Sequence, residues 1–240
     1  MTWLADGLIV LAGAAIGATS IGGVLVVPVL TGIAGLPLAE AVAASSLAFV
    51  PAGLLGWRAA RVQAGLHATP WALHATALSG AVCGALLVHV VPTNGADLWL
   101  AALAAVSGLY GLASLMAAQG ERPMPATAML AVVGFAVGLG SALSGTGGPV
   151  LLLPLLLLRR TATAPALAAA LAIQLPIALA ASAAHWFGGH LPLALGLKTG
   201  ALVTAGALAG RFLARKMPAR ALRGSASLCL LAVAAWYAVR

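Results

Sequence analysis

Apolar runs close to 20 residues long follow one another along almost the whole chain, separated by short polar stretches. A helix of that length spans the hydrocarbon core of a bilayer, so each run reads as a membrane segment. The runs fall at residues 3–36, 37–57, 68–91, 96–118, 126–158, 165–187, 191–213 and 224–239. The first and fifth are too long for one simple helix. Each holds a glycine cluster running into apolar residues and a proline, Gly22-Gly23-Val24-Leu25-Val26-Val27-Pro28 and Gly147-Gly148-Pro149-Val150-Leu151-Leu152-Leu153-Pro154. Glycine costs about 1 kcal/mol per helical position relative to alanine, so a break is expected in both.

The breaks recur at a fixed spacing. Setting Pro28 on Pro154, 126 residues further on, places Gly22 on Gly148, Gly80 and Gly84 on Gly206 and Gly210, and Pro92 on Pro218. The Gly80/Gly84 pair and its counterpart are small-xxx-small spacings that let helices approach closely. The chain therefore reads as a duplication, with halves at residues 1–120 and 121–240 and a polar boundary near Gln119–Pro125.

Composition decides the solvent. Hydrophobic residues make up 62% of the chain, charged residues 7%, and the mean hydropathy is +1.10, which leaves too little polar surface for a soluble domain. A net charge of +8 raises nucleic acid as a partner, but the 12 Lys and Arg sit in short loops between apolar runs, not on one amphipathic face. Nucleic acid is excluded on that ground. The first eleven residues hold Asp6 and no basic residue, unlike a cleavable signal peptide, so this segment is expected to be retained. Cys83 and Cys229 lie in apolar segments without CxxC spacing and are expected to be buried packing residues.

The basic residues also test orientation, since Lys and Arg favour cytoplasmic loops. Eight single crossings would divide them almost evenly. If the fifth segment instead enters and returns as a hairpin, ten share one side and only Lys198 and Arg240 lie opposite. The loop near Pro92 is bare while its counterpart near Pro218 is strongly basic, so the halves are expected to be inverted. The fold class that follows is all-α: a polytopic membrane protein of two inverted repeats, each a glycine-rich broken or re-entrant helical hairpin plus three transmembrane helices. Such repeats suit a transporter, whose halves rock around a midplane site.

Candidate chemistry gathers at the breaks. Ser144, Gly145, Thr146, Gly147 and Gly148 form one cluster and Ser20, Gly22 and Gly23 a weaker copy. Free N–H groups at a half-helix N-terminus, with small hydroxyls beside them, suit an anion. The competing reading is that these glycines only permit tight helix packing. Ser45 and Ser46 face a substrate or bond their own helix. Gln174, costly in mid-membrane unless hydrogen-bonded, faces a substrate or bridges helices. His74, His89 and His185 show no metal-ligand spacing, and each reads as an interface or helix-end residue. Asp6, Glu40, Asp97 and Glu121 all lie near segment ends, so none stands out as a proton relay. No P-loop motif occurs, which excludes ATP hydrolysis by that route.

The duplicated glycine–apolar–proline stretches, together with Ala43-Ala44-Ser45-Ser46-Leu47, resemble the TauE/SafE family of sulfite and organosulfonate exporters over nearly the whole chain. The first copy departs from the family's fuller glycine triplet at Ile21, and Pro149 closes the second. The resemblance implies export of small anions such as sulfite or organosulfonates across the cytoplasmic membrane. No enzyme activity, cofactor or metal is expected. The expected partners are a small anionic substrate and the lipid bilayer, with a coupling proton or sodium ion and a homo-oligomer left open. The alternatives are an exporter of another small solute, a channel-like protein and, as a minor one, an intramembrane serine protease using Ser144 and His185.

Overall fold

The computed structural model describes residues 3–19, 22–63, 70–91, 93–115, 122–216 and 218–239. Ten α-helical elements occur among them: α1 (Trp3–Thr19), α2 (Val26–Pro28), α3 (Leu38–Gln63), α4 (Trp71–Leu87), α5 (Thr93–Ala113), α6 (Thr127–Ser144), α7 (Pro149–Leu158), α8 (Thr163–Phe187), α9 (Leu193–Ala214) and α10 (Ala219–Val239). No strand is present among the described residues; a single parallel bridge joins Arg122 to Thr161. The protein is an all-helical, multi-pass membrane protein. Among the described residues, four helices are long and apolar enough to cross a bilayer alone, and six shorter apolar helices accompany them. Large apolar side chains such as Leu11, Val106, Val132 and Phe212 point outward, where lipid would cover them. Cys83 and Cys229 are exposed there too, correcting the expectation that they are buried: on a helix facing lipid, an apolar position need not be an interior one.

Both long segments break where glycine and proline predict. In the second, α6 ends at Ser144, Gly145, Gly147 and Gly148 adopt φ of +63°, +81° and +99°, and α7 starts at Pro149. Only glycine takes such a run of positive φ without strain, and proline at the first helical position lacks only an N–H that would be unpaired anyway. In the first, Gly22–Leu25 is a 3₁₀ turn, α2 follows, and Val29–Ile33 is a π turn. Position 23 is glycine where its counterpart is Pro149, so nothing fixes φ at the start of this short helix.

Backbone-to-backbone approaches set the helix pairing. Gly13 and Gly17 of α1 lie against Val203 and Ala207 of α9, while Gly134 and Gly138 of α6 lie against Leu73 and Ala77 of α4. Both pairs run parallel. In the reverse direction Gly206 and Gly210 meet Val10 and Ala14, and Gly80 and Gly84 meet Phe135 and Leu139. Without a Cβ at these crossings, backbones close enough to exchange dispersion energy replace the missing hydrophobic drive between helices in lipid. Helices α3 and α8 run antiparallel, Gly53 against Leu175 and Gly56 against Leu171. Helix α5 packs on α10.

The N–H of Arg122 donates to the carbonyl of Arg160 at 2.9 Å, and that of Ala162 to the carbonyl of Arg122 at 3.0 Å. Arg122 precedes α6 and Arg160 follows α7, so this segment leaves and returns at the same end of the bundle. The α6–α7 hairpin is thus a finding of the structure.

Candidate functional site

The two breaks meet. Gly23, buried at the start of the first short helix, sits so close to the Thr146 carbonyl that a Cβ at position 23 would stand 2.5 Å from that oxygen. The Phe49 ring of α3 packs on Gly147, and Ile177 and Ile173 of α8 on Gly148. Residues 144–150 are all buried.

Hydroxyls hold the α6–α7 turn in shape. Ser144 Oγ donates to the Gly140 carbonyl at 2.8 Å and lies 3.0 Å from Thr146 Oγ1. Ser45 Oγ, 100 residues away in sequence, donates to the Gly145 carbonyl at 2.7 Å. A buried bond of this kind contributes about 1 kcal/mol, and losing Ser45 would leave the Gly145 carbonyl unpaired. The Trp99 indole donates to the Gly140 carbonyl at 3.2 Å, fixing the end of α6 from α5. Among the described residues, the amides of Gly147, Gly148 and Val150 have no backbone acceptor.

A cavity of about 390 Å³ opens from this junction toward one end of the bundle. That volume is within the usual range for small-molecule sites. Gly23, Thr146 and Pro149 line its inner part, Gln174 and Phe49 its walls, and Arg211 and Arg215 of the α9 terminus its mouth. No carboxylate lines it among the described residues. Gln174 borders the cavity but is only 4% exposed, and its Oε1 lies against Gly56 of α3.

The residues singled out in the sequence therefore divide. Gly23, Thr146 and Gln174 line the cavity. Gly145, Gly147, Gly148 and Ser144 build the turn behind it, and Ser45 braces that turn. Ser46 Oγ donates to the Val42 carbonyl at 2.9 Å, which spends the hydroxyl on its own helix. Gly22 lies in the 3₁₀ turn, and Ser20 falls outside the described residues. Ser144 and His185 bond different partners, Gly140 with Thr146 and His89 respectively, so the pairing that a serine protease needs is not made. Sequence reasoning missed Arg211 and Arg215, whose basic run had been read only as an orientation signal.

The same end gathers other basic residues. Arg122 and Arg160 meet there through two backbone bonds, Arg159 precedes Arg160 in the chain, and the antiparallel packing of α3 on α8 places Arg58 toward the same end. A family model described as Sulfite exporter TauE/SafE matches residues 5–237. The chain belongs to the TauE/SafE family. It is thus a membrane transporter of a family named for sulfite export, and the expectation drawn from the glycine motifs holds across both breaks. Searches of the curated proteins and of the solved structures found no match.

Proposed function

We propose that this TauE/SafE protein exports sulfite or a small organosulfonate across the cytoplasmic membrane as a secondary transporter, by alternating access around the junction of the two glycine breaks. The observation that carries the reading is the cavity itself, which no carboxylate lines among the described residues, with Arg211 and Arg215 at its mouth and Gly23 and Thr146 at its inner part. Arginine matches a sulfo group through paired N–H donors, and an N-terminal helix turn favours negative charge. Cation sites draw on charged oxygen ligands, and among the described residues none borders this cavity.

Two inverted halves, 1–120 and 121–240, are part of the proposal. Helix bounds support the duplication: α5 at Thr93–Ala113 and α10 at Ala219–Val239 differ by 126 at both ends. Lys and Arg at the cavity end mark that end as cytoplasmic, so the cavity faces the compartment from which an exporter loads. Ordered turns at Gly145–Gly148 position the anion, and rocking of α3 and α8 with their hairpins exchanges the accessible side.

Proteoliposomes containing the full chain, loaded with labelled sulfite, sulfoacetate, sulfate or a cationic control, test the reading. Saturable flux of sulfite or sulfoacetate is expected. Flux of the cation alone, or anion flux that never saturates, overturns it in favour of another solute or a channel.

A further inference from the structure

Three histidines meet at the end of the bundle away from the basic loops. His89 follows α4, His185 is in the last turn of α8, and His190 lies in the connection to α9. His89 Nε2 and His185 Nδ1 are 3.1 Å apart, with the rings edge to face at 5.2 Å. His190 stacks on His89, centroids 4.0 Å apart and planes 28° off parallel. His185 is 1% exposed, and its Nε2 is buried without a hydrogen-bond partner. His190 is exposed, so the cluster reaches from water into the packed interface of α4 and α8.

We propose that His89, His185 and His190 are a proton-binding latch that holds this end of the transporter shut and releases it when protonated from the aqueous side it faces. The proposal rests on the alternating-access reading above. One imidazole must offer an unprotonated nitrogen for the 3.1 Å contact to be a hydrogen bond. When both rings are cationic the acceptor is gone, and like charges face each other across the joint between α4 and α8. No metal ion is needed, and no group of three His, Cys, Asp or Glu side chains among the described residues is arranged to hold one.

Among the described side chains, no carboxylate is a neighbour that acts on His89. Helix α4 carries otherwise His74, at its opposite end, and Cys83, on its exposed face; α6 and α7 carry no charged residue, and α8 none besides His185. On α3, which runs antiparallel to α8, Glu40 lies in the first turn, at the end of the bundle that carries His185, and Arg58 and Arg61 lie near the other end. On α9 the ammonium of Lys198 is held by Asp6 at 2.8 Å, and Arg211 lies at the cavity end. The side chain of Asp97 on α5 lies outside the described ones. Burial first, and then the neighbouring His190, hold His89 below its ordinary value. A histidine whose value is depressed in the closed form stabilises that form above the ordinary value of about 6.5, and the contribution is lost as pH falls below it. Acid therefore opens the latch.

The test uses the full chain in liposomes, with Cys83 and Cys229 replaced by serine and nitroxide labels at Val90 and Phe187, which flank the cluster. Spin–spin coupling between the labels is expected to weaken as the pH facing the cluster falls from about 7.5 to about 5. In the double variant His89→Gln and His185→Gln the coupling should not respond to pH. In His190→Gln alone the midpoint should move to higher pH, because the neighbour that helps hold His89 down is gone. Coupling that stays constant in the parent chain, an unchanged acid response in the double variant, or an unmoved midpoint in His190→Gln overturns the latch. Acid-dependent coupling without anion flux leaves the latch standing and removes the transport reading; flux without acid-dependent coupling does the reverse.

Discussion

The C-terminal ends of α4 and α9 invite comparison, because they sit at matching places in the 126-residue spacing and end differently. His89 falls on Arg215. At the α9 end, Arg211 and Arg215 border an open cavity that reaches Gly23 and Thr146. At the α4 end, His89 is engaged by His185 and His190. The glycine crossings that carry the two helices are nearly the same: Gly206 and Gly210 against α1, Gly80 and Gly84 against α6. Similar packing thus supports two chemically opposite ends, one that stays cationic at any physiological pH and one whose charge is set by pH. The scaffold fixes where the ends lie, and the terminal side chains set the chemistry of each.

The sharpest way to break the comparison is to remove the charge at the open end. Replacing Arg211 and Arg215 together by glutamine should lower anion flux at sub-saturating concentration by about tenfold or more, since a hydrogen bond to a charged group is worth about 1.5–3 kcal/mol. Initial rates in proteoliposomes check this; an unchanged rate would show that the mouth does not handle the anion. Next comes the junction: Gly23→Ala forces a methyl group against the Thr146 carbonyl, and overpacking of that kind costs about 1–3 kcal/mol. A lower melting temperature in detergent is expected, together with slower flux. Gln174→Leu keeps the volume but removes the amide, and should raise KM about threefold to tenfold while sparing stability, in line with about 1 kcal/mol for a neutral hydrogen bond. The smallest effect belongs to Lys198→Ala. Its pair with Asp6 is part-exposed, so flux and melting temperature should change little, within about 1 kcal/mol.

Much of the fold was legible because lipid imposes a simple grammar. Run length gave the helices, and Gly-rich stretches that resist helix marked both breaks, including the turn between Ser144 and Pro149. The basic loops pointed to a hairpin at 126–158, and the Arg122 bridge to Thr161 now closes it. Side-chain roles were harder to read. Ser45 and Ser46 are neighbours in sequence, yet one reaches the Gly145 carbonyl and the other turns back to Val42, a difference of helix face that spacing alone does not reveal. The histidine cluster was invisible because His89 and His185 lie 96 residues apart and meet only through the parallel course of α4 and α8. The cysteines misled for a related reason, since hydropathy does not distinguish a lipid face from an interior one. Arg211 and Arg215 were seen only as a count of charges; their place at the cavity depends on α9 running alongside α1.

The most direct test of the account asks whether the cavity is reached from the arginine end and holds the anion. A single cysteine at Thr146, in a chain with Cys83 and Cys229 replaced by serine, is exposed to a membrane-impermeant thiol reagent from each side of the bilayer in turn. Modification from the side of Arg211 and Arg215, slowed by sulfoacetate and not by a cation of similar size, is the predicted result. Faster modification from the side of His89, or a rate indifferent to sulfoacetate, would contradict it.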